Sequence, residues 1–121
     1  MLKDRRRFFR WPVDAQCLVI DELGTISGEL VNLSFGGARI ENPTRLPVEG
    51  SDVQLVIHRP DYSASLKAHV FWVAAERRPA AFGVEFYGSF SERSAQLLPL
   101  FRRVWGAEAS PDPLSAEGRP E

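Results

Sequence analysis

The residues with the most chemistry to offer stand in two short clusters. Arg5, Arg6, Arg7 and Arg10, with Lys3, crowd the first ten positions against Asp4 alone, and Arg6 and Arg10 form an R-x-x-x-R pair. A guanidinium fork donates paired hydrogen bonds to a phosphate, or to O6 and N7 of a guanine. Lysine cannot reproduce that geometry, so an arm of four arginines and one lysine carries meaning. The second cluster, Asn32-Leu33-Ser34-Phe35-Gly36-Gly37, reads N-x-S-x-x-G. A carboxamide such as Asn32 can accept from a ring or amino N–H, such as guanine N1–H or N2–H, and donate elsewhere, and a serine such as Ser34 can add a short hydroxyl contact. Gly36 and Gly37 let the backbone turn tightly and approach a ligand without a Cβ in the way. Each cluster alone is a weak signal, because basic N-termini are common and Asn, Ser and Gly are what turns contain.

The elements that must position these clusters read mostly as strands. From Asp14 to Ile20, Ala15, Cys17 and Val19 alternate with Gln16, Leu18 and Ile20. Both sets are largely apolar, so the period predicts a strand with much of each face covered. Asp21–Gly24 is turn chemistry, with Gly24 free to take a positive φ. Thr25–Leu33 reads as the partner strand, bent or bulged near Gly28. A turn at Ser34–Gly37 leads to a short third strand, Ala38–Glu41. After a loop over 42–51, Val53, Leu55 and Ile57 mark a fourth strand. A fifth carries Leu66, Ala68, Val70 and Trp72 on one face, and Phe82–Phe86 is a sixth. Beyond residue 88 the period becomes helical, with Leu97, Leu98, Phe101, Val104 and Trp105 on one stripe. Ser89 and Glu92 have capping-box spacing, and Pro99 predicts a kink or two short helices.

The predicted fold is mainly β: a six-stranded antiparallel, Greek-key-like barrel with a C-terminal helix packed over it. Its expected divisions are a flexible basic arm over 1–13, the barrel over 14–90, the helix over 91–107 and a disordered acidic tail over 108–121. That tail holds Pro111, Pro113 and Pro120 and few large apolar groups.

Composition narrows the function classes. The chain has 121 residues, 44% hydrophobic and 26% charged, with a net charge of -1, which fits one globular domain and not a polycation that coats nucleic acid. Cys17 is the only cysteine, which excludes an intramolecular disulfide and a multi-cysteine zinc site. No run is long and apolar enough for a membrane span, and the N-terminus lacks the apolar stretch of a secretory signal. The expected compartment is the cytoplasm, with no membrane insertion. His58 and His69 have no organised carboxylate cluster, Ser34 has no triad-like neighbours, and Glu41, Asp52 and Glu85 are scattered. We therefore expect no catalytic residues, no metal and no cofactor. Phe71 and Trp72 alternate along one strand and are read as core packing.

The order and spacing of the two clusters, one before the first strand and one after the second, about twenty residues apart, resemble the PilZ domain family. That family's pattern is R-x-x-x-R followed by [D/N]-x-S-x-x-G. Trp11-Pro12-Val13 looks like its lead into the first strand, and Phe82-Gly83-Val84-Glu85-Phe86 like its last strand. The resemblance implies a bacterial receptor for cyclic di-GMP and not an enzyme. On the matching positions it implies that Arg6 and Arg10 grip guanine edges and phosphates from the arm. Asn32, Ser34 and Gly37 line the barrel side, and Arg5, Arg7 and Gly36 are secondary candidates. Arg5 is either a solvated charge or a cation–π partner for a guanine. With no output domain in view, the signal is expected to pass to an effector protein through ordering of the arm. The alternatives are a small barrel that binds single-stranded nucleic acid, which the near-zero charge disfavours, and a ligand-free PilZ-type adaptor.

Overall fold

The computed structural model describes residues 11–59 and 62–105, and the side chains of 15–59 and 62–102. Six strands are followed by one helix: β1 (Trp11–Asp21), β2 (Gly24–Leu33), β3 (Gly37–Glu41), β4 (Asp52–Arg59), β5 (Tyr62–Ala74), β6 (Ala81–Phe86) and α1 (Phe90–Trp105). The strands close into an antiparallel barrel in the order β1-β2-β3-β6-β5-β4, with β1 paired to β4. Closure removes the unpaired edges that an open sheet would expose.

Alternation sets the interior. Cys17 and Val19 on β1, Ile26 and Leu30 on β2, Val53, Leu55 and Ile57 on β4, and Leu66, Ala68 and Val70 on β5 are all buried in one core. Burial pushes the Cys17 thiol up to about 12, so it is an inert core group. The opposite face of β1 departs from expectation: Leu18 and Ile20 remain 41% and 39% exposed, on a wall that no described element covers. β1 also opens at Trp11, ahead of the first readable alternation at Asp14. On β2 the irregularity falls between Leu30 and Asn32, and not at Gly28. A Cβ on Gly28 would meet Ile40 Cγ2 at 2.5 Å, so this glycine makes room for a core side chain instead of bending the strand.

The helix starts as its spacing predicts. Ser89 Oγ accepts from Glu92 N–H at 3.1 Å, and Glu92 Oε1 accepts from Ser89 N–H at 2.8 Å, a reciprocal capping box. It does not split at Pro99. α1 is one helix of 16 residues, with Pro99 on its exposed side. A proline inside a helix loses one backbone hydrogen bond, at a cost of about 3 kcal/mol. The fully buried side chains of Leu97, Leu100 and Phe101 on either side of it hold both halves to the barrel and offset that loss. The β2–β3 turn meets the helix through Phe35, whose ring centroid lies 4.5 Å from that of Phe101 and 6.1 Å from that of Phe90, and β5 meets it where Tyr62 O–H donates to the Gln96 carbonyl.

The hairpin between β1 and β2 is tied to the loop after β3. Arg45 donates from both terminal nitrogens to the Asp21 carboxylate, at 3.0 and 2.7 Å, and Leu23 N–H donates to the same group at 2.9 Å. The Arg45 hydrogen bond is the main cause that holds the Asp21 carboxyl down at about 2.

Two outcomes are expected. An unfolded aspartate titrates near ~3.9. The folded value is lower, so the Asp21 contribution is complete above about pH 4 and is lost as the pH falls towards 2. Arg45→Ala should therefore lower stability at neutral pH, and its gap to the wild type in urea unfolding should shrink between pH 4 and 2. Phe35→Ala empties a fully packed site between barrel and helix and should cost about 3–5 kcal/mol of unfolding free energy in the same assay.

Candidate functional site on the outer wall around Asn32

Asn32 reaches the outside of the barrel because β2 contains one extra residue. Leu30 pairs with Ile40 and Asn32 with Arg39, which leaves Val31 without an opposite number. Strict alternation would send Asn32 inward with Ile26 and Leu30. The bulge reverses the parity, so Leu33 turns into the core and Asn32 joins Arg39 on the outer face. β5 does the same. Val70 pairs with Val84 and Trp72 with Gly83, so the extra residue is Phe71 and Trp72 turns out. Its sharing a face with Leu66, Ala68 and Val70, and its reading as core packing, are both corrected here. Phe71 is 36% exposed, and the two rings meet edge to face at 6.2 Å.

One lateral row results. Pro12 of β1 pairs with Asn32, Asn32 with Arg39, Arg39 with Gly83, and Gly83 with Trp72. The Trp72 indole lies flat on Gly83, where an added Cβ would sit 2.1 Å from Trp72 Nε1. Across that gap the Arg39 guanidinium carbon is 5.2 Å from the Trp72 ring centroid, a cation–π contact. Arg39 Nε also donates to Glu41 Oε2 at 2.9 Å. Among the described residues the buried Oδ1 of Asn32 has no hydrogen-bond partner.

The turn after Asn32 is self-contained. Ser34 Oγ accepts from the N–H groups of Gly36 and Gly37, each at 3.1 Å, and its hydroxyl lies 3.4 Å from the Gly37 carbonyl. Ser34 is 7% exposed. This geometry makes the hydroxyl a brace of the turn. Gly37 sits against β6, where an added Cβ would meet Val84 O at 2.3 Å, so the close approach of β3 and β6 requires glycine. The middle residue of the turn, Phe35, points the other way, into the core and onto α1.

Asn32, Ser34, Gly36 and Gly37 are thus brought together at the β2–β3 corner. Arg5, Arg6, Arg7 and Arg10 lie outside the described residues. The chain leaves them at Trp11, the register partner of Leu33, so the arm joins the barrel at this corner. Arg6 is five residues from Trp11, and extended chain covers at most about 18 Å over that stretch.

Arg39 and Trp72 were not singled out from the sequence as site residues. Arg39 stands two places beyond the second motif, a position with no signal of its own. Trp72 was misplaced by strict alternation. A second row runs beside the first, with His69 Nε2 3.3 Å from Glu85 Oε1 and Tyr87 O–H donating to Asp52 at 2.6 Å. That bond to the Asp52 carboxylate is the main cause raising the Tyr87 phenol. Among the described residues no three His, Cys, Asp or Glu side chains are grouped to hold a metal.

Comparison with known proteins gives this geometry a context. The PilZ domain pattern matches residues 4–101. No curated protein matches the chain. Among solved structures it resembles YcgR of Escherichia coli in complex with c-di-GMP, with a TM-score of 0.67 and 20% identity over 85% of this chain and 47% of that one. It also resembles the PilZ domain of the same protein with c-di-GMP, with a TM-score of 0.64 and 17% identity over 86% and 99%. The inhibitor of motility MotI/DgrA from Bacillus subtilis gives a TM-score of 0.64 and 18% identity over 87% of this chain and 53% of that one. The chain therefore spans about half the length of YcgR and of MotI/DgrA. At these identities the structural likeness speaks for the fold, and the sequence pattern speaks for the lineage: the chain belongs to the PilZ domain family.

Proposed function

We propose that this chain is a bacterial cyclic di-GMP receptor. Arg6 and Arg10 of the arm and Asn32, Ser34 and Gly37 of the β2–β3 corner form its site, with Arg5, Arg7 and Gly36 beside them. Ligand binding orders the arm against the wall, and a partner protein reads the new surface. Ordering costs about 1–2 kcal/mol of backbone entropy per residue, which contacts to two guanines and two phosphates can offset. The protein acts as a sensor and not as an enzyme, in the cytoplasm. No helix among the described residues is long and apolar enough to cross a membrane.

The observation that carries this reading is the Asn32 carboxamide. It is turned out of the barrel by a bulge, next to the strand where the arm attaches, with a buried oxygen that has no partner among the described residues. An acceptor in that condition suits a guanine N1–H or N2–H. Membership of the family and the c-di-GMP bound in the YcgR structures support the same ligand.

Calorimetry should show cyclic di-GMP binding with a micromolar or tighter Kd, worth about -8 kcal/mol or more, and far weaker binding of GMP and GTP. No heat and no competition at ~100 µM would leave an adaptor that uses the fold without the ligand. Arg6→Ala or Arg10→Ala should cost about 1–3 kcal/mol each.

Asn32 and Ser34 should behave differently. Asn32→Ala should lose about 1 kcal/mol or more of binding with little change in unfolding, because its oxygen has no partner among the described residues. Ser34→Ala strips the acceptor from two backbone N–H groups and should cost about 1–2 kcal/mol of stability, read by urea unfolding. A binder held by phosphate charge would ignore Asn32→Ala and show steep salt dependence, which would favour single-stranded nucleic acid instead.

A further inference from the structure

We propose that Arg39 is a third ligand-binding arginine, built into the wall and not the arm, and that Glu41 is the residue that positions it. This rests on the cyclic di-GMP reading and adds a contact to it. The Arg39 side chain is 24% exposed and fixed in two ways. Its guanidinium carbon lies over the Trp72 ring, 5.2 Å from the centroid, and its Nε donates to Glu41 Oε2 at 2.9 Å. Trp72 can lie there only because Gly83 has no side chain. Those contacts use one nitrogen and one face. Among the described residues the two terminal nitrogens have no hydrogen-bond partner.

The chemistry of a fitting ligand follows from the neighbour. Arg39 and Asn32 are opposite each other in the β2–β3 ladder, on the outer face. One offers a donor fork and the other an unpartnered acceptor. A guanine presents the complement on one continuous edge: O6 and N7 accept from a guanidinium, and N1–H and N2–H donate to a carboxamide oxygen. Adenine replaces O6 with an amino donor, which a guanidinium cannot meet. Arg39 therefore reads O6 and N7 of a guanine. The cation–π contact and the Nε bond restrict its rotamers before ligand arrives, so less ordering remains to be done on binding. Glu41 touches Nε and leaves the terminal fork open, which makes it a positioning residue. It also neutralises the pair, so Arg39 contributes directed hydrogen bonds and little long-range attraction.

The test is titration of the full chain with cyclic di-GMP, with thermal unfolding measured beside each variant. Arg39→Ala should weaken binding about tenfold or more, and Arg39→Lys nearly as much, because a lysine keeps the charge and loses the fork. Glu41→Ala should weaken binding several-fold, and Glu41→Gln should restore it, because a glutamine oxygen still accepts from Nε. The Arg39→Ala, Glu41→Gln double variant should stay weak, since its loss is not repulsion by a bare carboxylate. Wild-type binding with unchanged affinity in Arg39→Ala or Arg39→Lys would overturn the assignment alone. Full recovery in the double variant would also overturn it. No binding by the wild type would overturn the receptor reading and this contact together.

Discussion

A strand alternates its side chains between two faces, and a barrel with unbroken alternation would point Asn32 at Ile26 and Leu30, and Trp72 at Leu66 and Val70. Neither would then be available outside. One extra residue on each strand, Val31 and Phe71, reverses the parity at the point where it matters. Leu33 still reaches the core after the reversal, so the interior stays filled while the wall gains an amide and an indole. A third irregularity, between Pro12 and Ala15 of β1, lies beside the same row. Each bulge sacrifices regular ladder pairing, and the row that results sets Asn32, Arg39 and Trp72, from three strands, on one patch.

Two glycines let that patch be dense. Gly83 gives the Trp72 ring a floor, and Gly37 brings β3 against β6 at backbone distance. The turn between β2 and β3 then serves two sides at once. Ser34 fixes its backbone by accepting two N–H groups, and Phe35 anchors it in the core against Phe90 and Phe101 of α1. A displacement of this turn by a ligand would be felt at the helix through one buried ring. Close packing makes such a contact stiff.

Charge on the described wall is largely matched. Arg39 faces Glu41 and Arg45 faces Asp21. Partly exposed pairs of this kind add little stability, and their value lies in orientation. The surplus of positive charge sits in the first ten residues. In the proposed receptor that distribution would divide the work, with long-range attraction from the arm and directed hydrogen bonding from the barrel.

Local pattern was enough to read the six strands, the barrel and the capped helix. Period-two burial, glycine turns and the Ser89–Glu92 spacing are encoded within a few residues of each other. The second motif was legible for the same reason, since Asn32, Ser34 and Gly37 belong to one corner. What tertiary structure decided is everything that depends on a partner strand. A bulge is defined by the opposite strand's count, so the parity of Trp72 could not be read from β5 alone. Arg39 became a candidate only when closure set it between Asn32 and Gly83. Pro99 looked like a break because its local cost is plain, while the burial of Leu97, Leu100 and Phe101 that overrides it is supplied by the barrel.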